Sequence, residues 1–221
     1  MEEQKGIMGG RGASSGGEGW LGGGGGVIIN PLDITSLVSA REGKRIEVDE
    51  TLQVFKDMND EYGYVADDLQ LATLTGADNV ALAYYDGSNV AFNQAYFNKA
   101  KMEAVYADCV KQGFHPPQGN KTALQAVASH EIGHALTDKV IAKMGSKLGK
   151  QDGAEAILKE AQKLAGNRGK LVNMASKISG YAKESARECI AEAFADVYCN
   201  RGRAKKESQS IVDVMNKYLK S

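Results

Sequence analysis

Ser129-His130-Glu131-Ile132-Gly133-His134-Ala135-Leu136 is the stretch on which the reading of this chain depends. It contains H-E-x-x-H. Two histidines four residues apart project from one side of a helix, one turn apart. Neutral imidazole nitrogen at about 2.0–2.1 Å suits a zinc ion, so His130 and His134 are expected ligands. Glu131 stands beside them but out of register. It can reach a metal-bound water without occupying the metal, which is the position of a general base. The plainer explanation is a surface helix that carries these residues by chance. Against it, the chain has 3 His and two of them sit here. Leu124, Val127, Ile132 and Leu136 flank the motif and mark a largely buried helix, where a histidine needs a partner. Thr122 is expected to cap this helix, which should run to about Lys143.

Zinc held by two histidines needs a third protein ligand and keeps one position for water. The candidates lie in Tyr181-Ala182-Lys183-Glu184-Ser185-Ala186-Arg187-Glu188-Cys189-Ile190-Ala191-Glu192-Ala193-Phe194-Ala195-Asp196. Glu188, Glu192 and Asp196 recur every four residues, so one face of a helix over Ser185 to Asn200 carries three carboxylates beside apolar flanks. A solvated acidic face is the bland reading. Part-buried acids repel one another unless a cation or donor compensates, and a metal brought in by the other helix does so. Either Glu188 is the ligand and Glu192 orients a ligand histidine, or Glu192 is the ligand and Asp196 takes the orienting role. Spacing alone does not choose.

The two segments together, H-E-x-G-H and then Y-x6-E-x-x-A-E-A-F, resemble the anthrax lethal factor family of zinc proteases and its phage and clostridial relatives. The likeness covers the motif helix and Tyr181–Phe194, about a sixth of the chain. It implies a zincin-like α+β fold, mostly helical, with a small twisted sheet over the H-E-x-x-H helix. It implies Zn2+ held by His130, His134 and Glu188, with Glu192 behind a ligand histidine. It further implies that Tyr181 donates to the oxyanion of a tetrahedral intermediate, a role a phenol can fill. A core aromatic is the plainer reading of one among 9 Tyr. The expected activity is a zinc endopeptidase with Glu131 as base. Its polypeptide substrate would be bound as an added strand along Asn89–Asn93, taken as the edge strand. The alternative is a phage or prophage structural or morphogenesis component with a non-catalytic zinc.

The remaining sequence limits these readings. With 221 residues the chain can build one sizeable core, and a net charge of −1 points to no nucleic acid. No apolar run approaches the roughly 20 residues of a membrane span. No signal peptide is seen, and Cys109, Cys189 and Cys199 lack a disulfide or C-x-x-C pattern. A cytoplasmic or virion-associated location is therefore expected. Residues 1–26 hold 12 of the 26 glycines and read as a flexible arm, through which a virion partner would be engaged. Trp20 and Leu21 are its odd apolar members. Residues 27–221 form the expected metallopeptidase domain.

Within it, Asp49 is read as the N-cap of a helix ending at Gly63, and a second short helix is read over Ala66 to Leu74. Thr75–Asp78 is a turn. Asn79–Tyr85, Asp86-Gly87-Ser88 and Asn89–Asn93 form the clearest hairpin signal. Gln94–Lys111 reads as helix. Gly113–Pro117 is a rigid loop, and its His115 reads as a surface residue rather than a ligand. Ala154–Leu164, Leu171–Ile178 and Ser208–Leu219 complete the helices.

Overall fold

The computed structural model describes residues 28–29, 34–75, 81–145 and 149–221. The glycine-rich arm, Trp20, Leu21 and most of the turn read at Thr75–Asp78 lie outside the described residues. In chain order the elements are β1 (Ile28–Ile29), β2 (Thr35–Ser36), α1 (Arg45–Tyr62), β3 (Leu69–Ala72), β4 (Leu74–Thr75), β5 (Ala83–Tyr85) and β6 (Val90–Asn93). Then come α2 (Lys99–Lys111), α3 (Ala123–Met144), α4 (Lys150–Leu164), α5 (Leu171–Ile178), α6 (Ala186–Asn200) and α7 (Lys206–Leu219). The fold is α+β and mostly helical, with a small mixed sheet ordered β2-β3-β6-β5. No helix among the described residues is long and apolar enough to cross a membrane.

The helix carrying H-E-x-x-H is α3, and it is the centre of the packing. Thr122 and Gln125 form a capping box at its start: Thr122 Oγ1 accepts from the Gln125 N–H, and Gln125 Oε1 accepts from the Thr122 N–H. From Ala123 to Thr137 every residue of α3 except the half-buried Gln125 is buried. A helix buried on all sides is clasped by neighbours, here α1, α2, α6, α7 and β5. Its closest partner is α6, capped by Ser185 through the Glu188 N–H. Gly133 explains the closeness: a Cβ there would lie 3.0 Å from Ala191 Cα and 3.1 Å from Phe194 Cβ. One core cluster then runs through the helices and the inner face of the sheet, including Leu37, Phe92, Leu124, Leu136, Ile157 and Ile190.

The hairpin forms as expected. β5 and β6 pair antiparallel, and the Asp86 carboxylate accepts from the Ser88 and Asn89 N–H groups across the turn. Other expectations need correction. Ala66–Leu74 is not a helix. Leu69–Ala72 pairs with β2 on one side and with β6, in parallel, on the other. Leu, Gln and Ala favour helix locally, but pairing on both sides overrides that preference. Asp67 and Asp68 cap no helix, and their backbone groups open the ladder to Ser88 and Val90.

Asp49 is not an N-cap, because α1 begins at Arg45 and Asp49 pairs with Arg41 at 2.9 Å. The helix read from Gln94 begins only at Lys99, with Asn98 as its cap accepting from the Lys101 N–H. Before it, Asn93 folds the chain by accepting from the Ala95 N–H and donating to Ala81 O. Asn89–Asn93 is also not the edge. β6 is paired on both sides, and the strand order ends at β5.

Candidate metal centre

Two helices that are remote in sequence meet at one point. From α3, one turn apart, come His130 and His134; from α6 comes Glu188. Glu188 Oε2 lies 3.1 Å from His130 Nε2 and 3.3 Å from His134 Nε2. All three side chains are buried, and together they could hold a metal ion. Of the two arrangements spacing left open, the one in which Glu188 meets both histidines is the one found.

Glu192, one turn further along α6, lies behind His130. Its Oε1 is 2.9 Å from His130 Nδ1, a close contact without the alignment of a full hydrogen bond. Its Oε2 accepts from Ser179 Oγ at 2.7 Å. Asp196, the third carboxylate of the stripe, faces elsewhere. It accepts from Asn200 Nδ2 and from the Lys205 N–H at the entry to α7. It therefore serves the helix junction and has no part in orienting a histidine.

Glu131 is fully buried, and neither of its carboxylate oxygens has a hydrogen-bond partner. Burial pushes its carboxyl up to about 8; the attraction of His130 opposes this, while Glu188 and Glu192 add to it. The neighbours diverge from it. Burial would raise Glu192, but His115 and His130 outweigh burial and hold it at about 2. Burial would likewise raise Glu188, yet His134 and His130 carry it well below the usual carboxylate range. His134 is lowered by burial, and His130 is raised because Glu188 and Glu192 overcome the same burial. Carboxyl groups with such different proton affinities in one cluster mark a site where acid and base roles can be divided.

Tyr181 is fully buried, and its ring stacks on His130 with centroids 5.8 Å apart and planes at 25°. It sits on a 3-10 turn, Tyr181–Lys183, tied to the loop after α2. The Gly180 N–H donates to Gly113 O at 2.8 Å and the Tyr181 N–H to Phe114 O at 3.0 Å. Gly113 has a positive φ of 70°, and a Cβ on Gly180 would meet Gly113 O at 3.2 Å. Two glycines thus allow the loop and the turn to run side by side.

That loop carries a correction. His115 is not a surface residue: it is 5% exposed and its Nδ1 lies 2.9 Å from Glu192 Oε1. The contact joins residues 77 apart in sequence, so no local spacing announces it. The one available sign was the scarcity of histidine in the chain. Ser179 was passed over as well, being a small polar residue with no motif of its own.

A small pocket opens beside these groups, lined by Leu82, Tyr106, His115, Val127, His130 and Glu131 among others. β5, one of the two end strands of the sheet, packs against α3 next to it. Cys109, Cys189 and Cys199 are buried and form no disulfide, and burial raises each thiol, so none offers a thiolate to the site. Compared with known proteins, the chain finds no counterpart: no family model matches it, nor does any curated protein or solved structure.

Proposed function

We propose that this protein is a zinc-dependent endopeptidase whose metal is held by His130, His134 and Glu188. The observation that carries the reading is Glu131: a carboxylate with both oxygens buried and unpartnered, beside a three-ligand group. An unpartnered buried carboxylate costs several kcal/mol, on the order of what a folded chain can spare. A structural metal site has no use for one and would close its fourth position.

The donor set fits zinc. Ligand bonds of about 2.0–2.1 Å in a tetrahedron place neighbouring ligand atoms about 3.3 Å apart. Glu188 Oε2 stands 3.1 and 3.3 Å from the two imidazole nitrogens. When bound, zinc supplies Lewis acidity, polarising a peptide carbonyl and lowering the pKa of a water to about 7.

The protein's own groups do the rest. Glu131 takes a proton from the attacking water at its carboxylate and returns it to the amine of the departing peptide. Glu192 accepts the Nδ1–H of His130, which leaves the Nε2 lone pair for the ligand role. Tyr181, held against His130 by the turn and the loop, donates its phenol to the developing oxyanion. An extended polypeptide adds to the outer edge of β5, Ala83–Tyr85, rather than to Asn89–Asn93.

The test is Glu131→Gln, assayed on an unfolded generic protein with and without a chelator. The variant should retain its metal and lose hydrolysis by about 10²–10⁴-fold. Hydrolysis that survives the substitution, or that ignores the chelator in the wild type, would remove the proposal.

A further inference from the structure

None of the chemistry above uses His115, the third histidine of the chain. We infer that His115 is a positioning residue for the ligand His130, acting through Glu192; the inference rests on the metal-site reading. The Nδ1 atoms of His115 and His130 both lie 2.9 Å from the same atom, Glu192 Oε1. An ionised carboxylate oxygen only accepts, so His115 donates its Nδ1–H there, and the same oxygen beside His130 favours a proton on the facing Nδ1. The His115 bond takes one lone-pair direction of Oε1, while Ser179 Oγ holds Oε2 at 2.7 Å. These two contacts fix the plane of the carboxylate and hold Oε1 2.9 Å from His130 Nδ1. A histidine that donates from Nδ1 keeps its Nε2 lone pair for a metal. His115 thus sets the orientation and tautomer of a ligand that it does not touch through a hydrogen bond.

His115 is itself well placed to hold Glu192. Its ring stacks on Tyr106, with centroids 5.3 Å and planes 3° apart. Tyr106 Oη in turn donates to Pro116 O at 3.0 Å, pinning the loop. Phe114 and Tyr181 meet the imidazole edge-on at 5.0 and 5.5 Å. Space-filling does not explain the choice of imidazole. Its Nε2 is buried without a partner, a cost that an apolar ring would avoid.

The experiment measures zinc affinity by competition with a chromophoric chelator and records the visible bands of the Co2+-substituted protein. It compares the wild type with His115→Phe, His115→Asn and His115→Gln. Phe keeps the stacked ring and loses the donor. Asn places an amide N–H near the position of Nδ1, and Gln places one near Nε2. We expect Phe and Gln to bind zinc about 10–100-fold more weakly and to shift the Co2+ bands, and Asn to recover most of the affinity and the wild-type spectrum. Unchanged affinity and bands in His115→Phe would overturn the inference. So would equal affinities for Asn and Gln, a comparison that stands even if the Phe variant does not fold. A wild type that binds neither ion would instead overturn the metal-site reading, and this inference with it.

Discussion

Two polar clusters join α3 to α6, one part-buried and one fully buried, and they are built in opposite ways. In the first, Arg187 donates to Asp138 Oδ1 and Lys150 reaches Asp138 Oδ2 at 2.8 Å, so the carboxylate is bound on both sides. In the second, one to two turns earlier on α3, Glu131 has no partner for either oxygen and His134 has no aligned bond at either nitrogen. Both lie in the same helix interface and were folded by the same packing. A cluster that serves only the fold closes on itself, because each open polar atom costs stability. The second leaves open the atoms that zinc and its water would engage. The difference between them is the physical case for a functional site.

The largest way to break this comparison is Glu131→Gln. Activity should fall by about 10²–10⁴-fold, while thermal stability holds, because burial already pushes the Glu131 carboxyl up to about 8 and one unpartnered polar group replaces another of the same size. A clear loss of stability would place Glu131 with the structural cluster.

Asp138→Ala should do the reverse. It strands Arg187, which is 9% exposed, and should lower stability by about 3 kcal/mol in chemical denaturation. Zinc stoichiometry should not change.

Gly133→Ala tests the contact between the two ligand helices. The gain in helix propensity, about 1 kcal/mol, opposes overpacking against Ala191 that typically costs about 1–3 kcal/mol. The net should be a loss of up to about 2 kcal/mol with weaker zinc binding, because α3 and α6 are pushed apart. A more stable protein with intact zinc affinity would show that the close approach is not required.

Lys150→Ala should do least. Its side chain is 52% exposed, so a change under about 0.5 kcal/mol that shrinks further in high salt is expected.

The same contrast accounts for what could be read from sequence. The motif helix, its cap at Thr122, the acidic stripe of α6 and the Asp-Gly hairpin are set by spacing within a few residues. Ligand geometry, helical period and turn chemistry leave marks at that range. Leu69–Ala72 left no such mark. It is a strand because β2 and β6 flank it, and its own residues favour helix. Which strands end the sheet follows from the pairing of β3 with β6, so Asn89–Asn93 was expected at the edge, whereas the strand at that end is Ala83–Tyr85. Asp196 continues the four-residue period of Glu188 and Glu192, but the chain bends at Lys205 and takes Asp196 for that junction. His115 was hidden for the same reason: only the assembled fold brings its loop to Glu192.

The central claim is that His130, His134 and Glu188 hold one ion between two helices. Metal analysis of the purified chain after exposure to one equivalent of zinc and gel filtration tests it most directly, with Glu188→Ala and His134→Ala as companions. One bound zinc per wild-type chain, and close to none in either variant, is the expected result. A wild type that emerges without zinc, or a Glu188→Ala protein that retains as much as the wild type, would contradict the account.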